Sequence, residues 1–183
     1  MLDKPATDPT AKTRSNKRRI EIFRATEGTD LSMPQEGVTS VDERGLAEAY
    51  AAGLGDGSVV KSLFADPASG LSLSYAWFQS NYVLLRHAHD ADCAYYVISG
   101  EVLLGTEVLK AGDVFFVPAN QLYQYTAGPD GVEILEVRTA TQFNIRFSGN
   151  SAAVWARIGA AAAANRQAWR ETTPPAAAAR MPR

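Results

Sequence analysis

The sequence predicts an all-β fold, a single barrel or sandwich, with a helical segment ahead of it and a helix behind it. Three observations predict this. From residue 58 to 147 the chain is a series of short runs rich in β-branched and aromatic residues, broken by Gly, Pro, Asn and Asp. Strands at such close intervals favour a barrel or sandwich. The flanks, by contrast, carry apolar residues at helical spacing.

In chain order, residues 1–20 are polar, contain two prolines and are expected to be a disordered basic tail. Residues 21–57 form an arm. Within it "RIEIFRA" (19–25) suits an edge strand, and "VDERGLAEAYAAG" (41–53) suits a helix. In that helix Val41, Leu46 and Tyr50 fall near one face, Asp42 or Ser40 supplies the cap, and Gly53 ends it. The strand runs follow: "SVVKSLFA", "LSLSYAWF", "NYVLLRH", "AYYVIS", "EVLLG", "TEVLK", "DVFFVP", "QLYQYTA", "VEILEVRTA" and "QFNIRF". "VLLGTEVL" reads as a hairpin turning at Gly105, and "AGPDGVE" (127–133) as a turn. After "SGNS", residues 148–172 read as a helix with Val154, Trp155, Ile158, Ala162 and Trp169 on one stripe. Residues 173–183 are expected to be a disordered end.

Composition narrows the function classes. The 183 residues suit one domain with a real core. No apolar run approaches the roughly 20 residues of a membrane helix, and the opening residues, with no apolar stretch after their charges, are not expected to act as a secretory signal. A single cysteine excludes an internal disulfide and suits a reducing, cytoplasmic setting. The net charge of −2 is divided. Residues 1–24 carry seven basic and three acidic side chains, residues 25–150 six and sixteen, and residues 151–183 five and one. An acidic body is a poor surface for nucleic acid. The "KRR" run at 17–19 is expected to be a solvated tail.

Two segments carry chemistry. The first is His87-x-His89, three residues, Cys93, six residues, Gly100; the second is Gly112, five residues, Pro118, then "ANQLYQY". His87 and His89 are the chain's only histidines. In order and spacing, with eleven residues between Gly100 and Gly112, the segments resemble the two signature motifs of the cupin superfamily of small jelly-roll β-barrels. The resemblance covers about residues 58–147. It implies one metal ion held inside the barrel by two histidines, a Glu and a third His. In this chain the Glu position is Cys93, the last His position is Tyr123, and Asn120 stands for the glycine after the proline.

Strand alternation then places Cys93, Tyr95 and Val97 on one face, and Gln121, Tyr123 and Tyr125 on another shared face. The resemblance implies His87, His89, Cys93 and Tyr123 as metal ligands, with Asp90 or Asp92 as a substitute carboxylate. Tyr123 and Tyr95 are the implied acid–base residues, and Gln121 and Tyr125 line the binding space. The ion would be divalent Fe, Zn, Ni, Mn or Cu, or absent. Three readings follow. The first is an enzyme, a metal-dependent dioxygenase or an isomerase or lyase acting on a small carbonyl, enol or aromatic substrate. The second is a metal-free module binding a small ligand. The third is a regulatory protein whose basic tail meets an acidic partner or nucleic acid. The resemblance also implies a homodimer, with "RIEIF" covering a neighbour's sheet edge.

Overall fold

The structure is a computed structural model and describes residues 19–182. In chain order the elements are β1 (Thr29–Asp30), β2 (Gln35–Glu36), α1 (Ser40–Ala51), β3 (Ser58–Asp66), β4 (Leu71–Phe78) and β5 (His87–Ala88). They continue with β6 (Cys93–Leu104), β7 (Glu107–Lys110), β8 (Val114–Val117), β9 (Thr126–Arg138), β10 (Ile145–Phe147) and α2 (Ala152–Glu171). The strands form two sheets. The larger runs β1-β3-β4-β9-β6-β7, with β8 also paired to β6; the smaller runs β2-β10-β5. Isolated bridges Val83↔Thr126 and His87↔Tyr123 draw the two sheets together. The larger sheet is therefore not closed into a complete barrel, and the chain is β-rich, with α1 and α2 where a helical segment and a helix are expected. No helix among the described residues is long and apolar enough to cross a membrane.

The core lies between the sheets, where inward residues of alternate positions meet: Ala76 and Phe78 from β4, Cys93, Tyr95 and Val97 from β6, Phe115 and Val117 from β8, Val132 and Ile134 from β9. Helix α1 begins in a reciprocal cap. The Thr39 hydroxyl accepts from the Asp42 N–H at 3.2 Å, and the Asp42 carboxylate accepts from the Thr39 N–H at 3.0 Å. The cap is thus Thr39, not Asp42 or Ser40. The buried face of α1 is Asp42, Gly45 and Ala49, while Tyr50 is 59% exposed, contrary to the expected stripe. In α2 the stripe holds: Trp155, Ile158, Ala162 and Trp169 are buried.

Three further expectations change. "RIEIF" is not a strand in the described chain, and Ile20 and Ile22 stand exposed. The turn at 127–133 is an excursion within β9. Gly100 pairs with Val132 and Val102 with Ala127, so the intervening residues bulge out around Gly131 at φ +79°. The C-terminal end is ordered to residue 182: Ala178 and Met181 bury against Tyr75 and Trp77 on the outer face of β4. Small apolar residues there have a sheet face to cover, which composition alone does not reveal. The basic run 17–19 lies almost wholly outside the described residues. The hairpin at Gly105 forms as expected, with Leu104 opposite Glu107.

Candidate functional site in the barrel interior

His87 and Tyr123 come from sequence-distant segments and lie directly opposite each other. The His87 N–H donates to the Tyr123 carbonyl at 3.1 Å, and the Tyr123 N–H to the His87 carbonyl at 3.0 Å. Directly opposed residues share a face, so both side chains enter the interior. His87 Nε2 lies 2.9 Å from the Tyr123 hydroxyl, which lies 2.6 Å from the Tyr95 hydroxyl. His87 Nδ1 is 2.9 Å from the Leu85 carbonyl oxygen. A carbonyl only accepts, so Nδ1 carries the proton and Nε2 accepts. The chain is thereby oriented: Tyr95 donates to Tyr123, and Tyr123 donates to His87. His89 is fixed in the same tautomer, its Nδ1 2.5 Å from the Asn144 carbonyl oxygen.

Burial dominates the electrostatics here. It drives the imidazoles of His87 and His89 down to about 4, so both are neutral near pH 7. It raises the hydroxyls of Tyr95, Tyr123 and Tyr125 well above their ordinary value. All three therefore remain hydrogen donors. The Cys93 thiol is pushed up to about 12, chiefly by burial, and its Sγ faces the Ala94 carbonyl at 3.8 Å.

The interior thus unites His87, His89, Tyr95, Tyr123 and Tyr125, with Cys93 buried among them. Gln121 is not there: it is exposed, its amide turned to the Leu122 carbonyl at 3.2 Å. It lies in the irregular turn after Pro118, where strand alternation has not begun. Asp90 and Asp92 are committed to the backbone, Asp90 accepting from the Asn144 N–H at 2.8 Å and Asp92 from the Ala119 N–H at 2.7 Å.

These donors do not fit the implied divalent ion. Among the described residues no three His, Cys, Asp or Glu side chains converge on one point. A thiol and a phenol stand in place of the implied carboxylate and third imidazole, His87 Nε2 already accepts a hydrogen bond from Tyr123, and the buried Glu136 carboxylate is taken up by Arg138.

Three interior residues escape the motif reading. Glu136 and Arg138, from "VEILEVRTA", are both buried and paired at 2.7 Å between Arg138 Nη2 and Glu136 Oε2. Phe143 lies over the guanidinium, 4.2 Å from Cζ to the ring centre, and packs edge-on to His89 at 5.5 Å. A signal was present: Val132, Ile134, Glu136 and Arg138 share one face by alternation, so an inward Ile134 takes both charges inward.

Aromatic rings pack the interior. Tyr95 stacks on Phe115 at 4.5 Å, and Tyr123 on Tyr125 at 6.2 Å. A cavity of about 630 Å³ lies elsewhere, between the outer face of β3 and β4 and the C-terminal segment. It lacks the converging hydrogen-bond chain, so the chemistry points to the interior.

No family model matches the chain, and no curated protein matches it. Solved structures do. The polyketide cyclase RemF from Streptomyces resistomycificus superposes over 75% of this chain and 91% of its own, with a TM-score of 0.51 and 17% identity. An RmlC-like cupin from Shewanella frigidimarina covers 45% of this chain and 76% of its own, with a TM-score of 0.41 and 26% identity. KdgF from a Halomonas species covers 45% and 79%, with a TM-score of 0.40 and 24% identity. With the two motif segments opposed across the bridge His87↔Tyr123 inside two facing sheets, and cupin-fold structures among those it matches, this chain is a protein of the cupin fold.

Proposed function

We propose that the chain is a small-molecule enzyme of the cupin fold that moves protons without a metal. Its substrate is a carbonyl or enol compound held in the barrel interior. The observation that carries this reading is the oriented chain Tyr95 to Tyr123 to His87, with a second neutral imidazole, His89, beside it. In a water-poor interior a pre-aimed hydroxyl stabilises charge that develops on a substrate oxygen. Tyr123, relayed by Tyr95, turns its O–H from His87 to that oxygen. An imidazole Nε2 takes the proton from the adjacent carbon, leaving an enolate held by the Tyr123 hydrogen bond. Return of the same proton to another carbon completes an isomerisation, and departure of a β-substituent instead completes an elimination. Substrate entry displaces aromatic side chains, of which Phe143 covers the polar cluster from a loop.

That RemF is a polyketide cyclase is compatible with such chemistry; at this identity the likeness carries the fold and not the reaction. The dioxygenase reading is set aside because it needs a redox metal, for which the interior lacks the implied carboxylate and third imidazole. A ligand-binding module without turnover is the second reading, favoured by Cys93 and Tyr123 standing where the implied Glu and third His would be. Solvent exchange separates the two. A panel of small ketones and β-keto acids in heavy water, with chelator present, is expected to gain carbon-bound deuterium with the protein and not with Tyr123→Phe. Exchange that stops with chelator restores the metal, and no exchange with any member leaves the binding module.

We further propose that the working form is a homodimer, supported by the exposed apolar side chains Tyr96, Val114, Phe116 and Val137 on one sheet face.

A further inference from the structure

Four buried side-chain atoms of the described residues lack any hydrogen-bond partner, and three of them lie in the interior: Arg138 Nε, Arg138 Nη1 and Ser74 Oγ. Their placement is not scattered. Tyr95, Glu136 and Ser74 lie side by side across β6, β9 and β4, and Cys93, Arg138 and Ser72 form the adjoining row. Cross-strand neighbours share a face, so the orphaned hydroxyl and the orphaned guanidinium edges flank the Tyr95 end of the hydrogen-bond chain. Arg138 is 2% exposed and Ser74 is 1% exposed.

Unpaired buried donors are costly, and most so on a charged group. Glu136 meets only Nη2 of the guanidinium. Phe143 covers the plane of the group with an aromatic face, which offers no acceptor for hydrogens that point outward along the guanidinium edges. Phe143 comes from the segment between β9 and β10 that has no regular structure, so it is the removable part of this cover. With its charge already met by Glu136, what the cluster lacks is an acceptor with several lone pairs. A carboxylate matches: it accepts in more than one direction and forms charge-assisted bonds with guanidinium.

We propose that Arg138, seconded by Ser74, is the anion-binding residue of the barrel interior, and that the molecule taken up there carries a carboxylate. This rests on the interior being the binding site. It goes further in naming the substrate class: a small keto or enol acid, its carboxylate on Arg138 and Ser74 and its carbonyl toward Tyr123. Phe143 swings away from the guanidinium as the carboxylate arrives.

Calorimetric titration tests this with a panel of small carboxylates, acetate, pyruvate, acetoacetate and benzoate, each against its matched primary amide. The wild-type chain is expected to bind at least one carboxylate at least about tenfold tighter than its amide, the advantage of a charge-assisted over a neutral contact. Arg138→Met is expected to abolish that preference, and Ser74→Ala to reduce it. Because Arg138→Met strands Glu136 and can unfold the barrel, Glu136→Gln provides the second arm. It keeps Arg138 and removes its internal competitor, so carboxylates are expected to bind about fivefold tighter or better. Carboxylates and amides binding alike, with Glu136→Gln changing neither, overturns the proposal and leaves the interior as a neutral-ligand site. Binding of neither class overturns it as well. The reading of the interior as a proton-transfer site then stands or falls separately, on deuterium exchange and its loss in Tyr123→Phe.

Discussion

At the scale of single residues, Tyr123 occupies the position where the resemblance implies a metal-binding histidine, and it changes what the position does. It accepts from Tyr95 and donates to His87, so it joins two parts of the interior. Tyr123→Phe keeps the ring and removes both bonds. We expect a loss of stability of about 1–2 kcal/mol, from a buried imidazole nitrogen and a phenol left unpaired. We expect at least about a hundredfold loss of exchange activity, the usual scale for removing an oxyanion donor. Denaturant titration and deuterium exchange read the two separately. Cys93 makes the opposite point. A thiol pushed up to about 12 by burial has almost no thiolate at pH 7. Iodoacetamide is therefore expected to leave it unmodified in the native protein and to label it promptly in denaturant; rapid native labelling would mean an accessible, activated thiol. The histidines and Tyr123 were legible in the sequence because their spacing is fixed by strands and one turn. The Glu136–Arg138 pair was not, since a Glu and an Arg two apart on a strand fit a solvated face equally well until the facing strands are known.

At the scale of elements, two glycines show where chain paths need to touch. Gly100 has φ +74°, and a Cβ there would lie 2.1 Å from the Gly131 carbonyl oxygen, a backbone atom that cannot yield. The motif glycine is thus explained by the bulge of β9 against β6, a contact 31 residues away in sequence that no local pattern announces. Gly45 allows α1 to reach α2: a Cβ would lie 2.1 Å from Cγ of Trp155, whose indole N–H donates to Asp42 at 3.0 Å. Helix propensity alone favours Gly45→Ala by about 1 kcal/mol. We expect the reverse sign, a net loss of about 1–3 kcal/mol from overpacking, seen as a lowered thermal midpoint. A rise in midpoint would mean that the helices are not this close in solution. Asn120 is the mild counterpart. It stands at φ +65° where the motif carries glycine, and Asn tolerates that region. The barrel motifs were therefore readable from spacing, whereas the arm and the C-terminal end were not. Their course is set by which sheet faces remain uncovered, as the burial of Ala178 and Met181 on Trp77 shows.

At the scale of the whole molecule, one sheet face remains open. Tyr96, Val114, Phe116 and Val137 are adjacent on the outer side of β6, β8 and β9 and are each 42–59% exposed. Ile20 and Ile22 add unburied apolar surface on the same chain. A second copy packed on this face would cover it, and we expect a scattering mass near twice 19.7 kDa, reduced to one copy by Phe116→Glu. The deepest whole-molecule consequence is acid sensitivity. His87 and His89 are held neutral, first by burial, then by each other's charge in the case of His87, so their folded values fall from 6.5 to about 4. The unfolded chain takes up protons as the pH drops through 6.5, while the folded chain does not until about 4. Stability is therefore complete above pH 6.5 and declines toward pH 4, by an amount on the order of a few kcal/mol for the pair. Asp42 contributes later. Burial alone would raise its carboxyl, but bonds from Thr39, Trp155 and Asn150 outweigh this and lower it, so its contribution is lost only as the pH falls below the ordinary carboxylate value. Because the chain has no other histidine, the upper window belongs to the site alone. Urea midpoints measured from pH 7.5 to 4.5 are expected to fall, with unfolding taking up close to two protons near pH 5. His89→Gln should roughly halve that uptake. A flat profile over this range would mean that the imidazoles are solvated and that the closed interior, with its oriented hydrogen-bond chain, does not persist in solution.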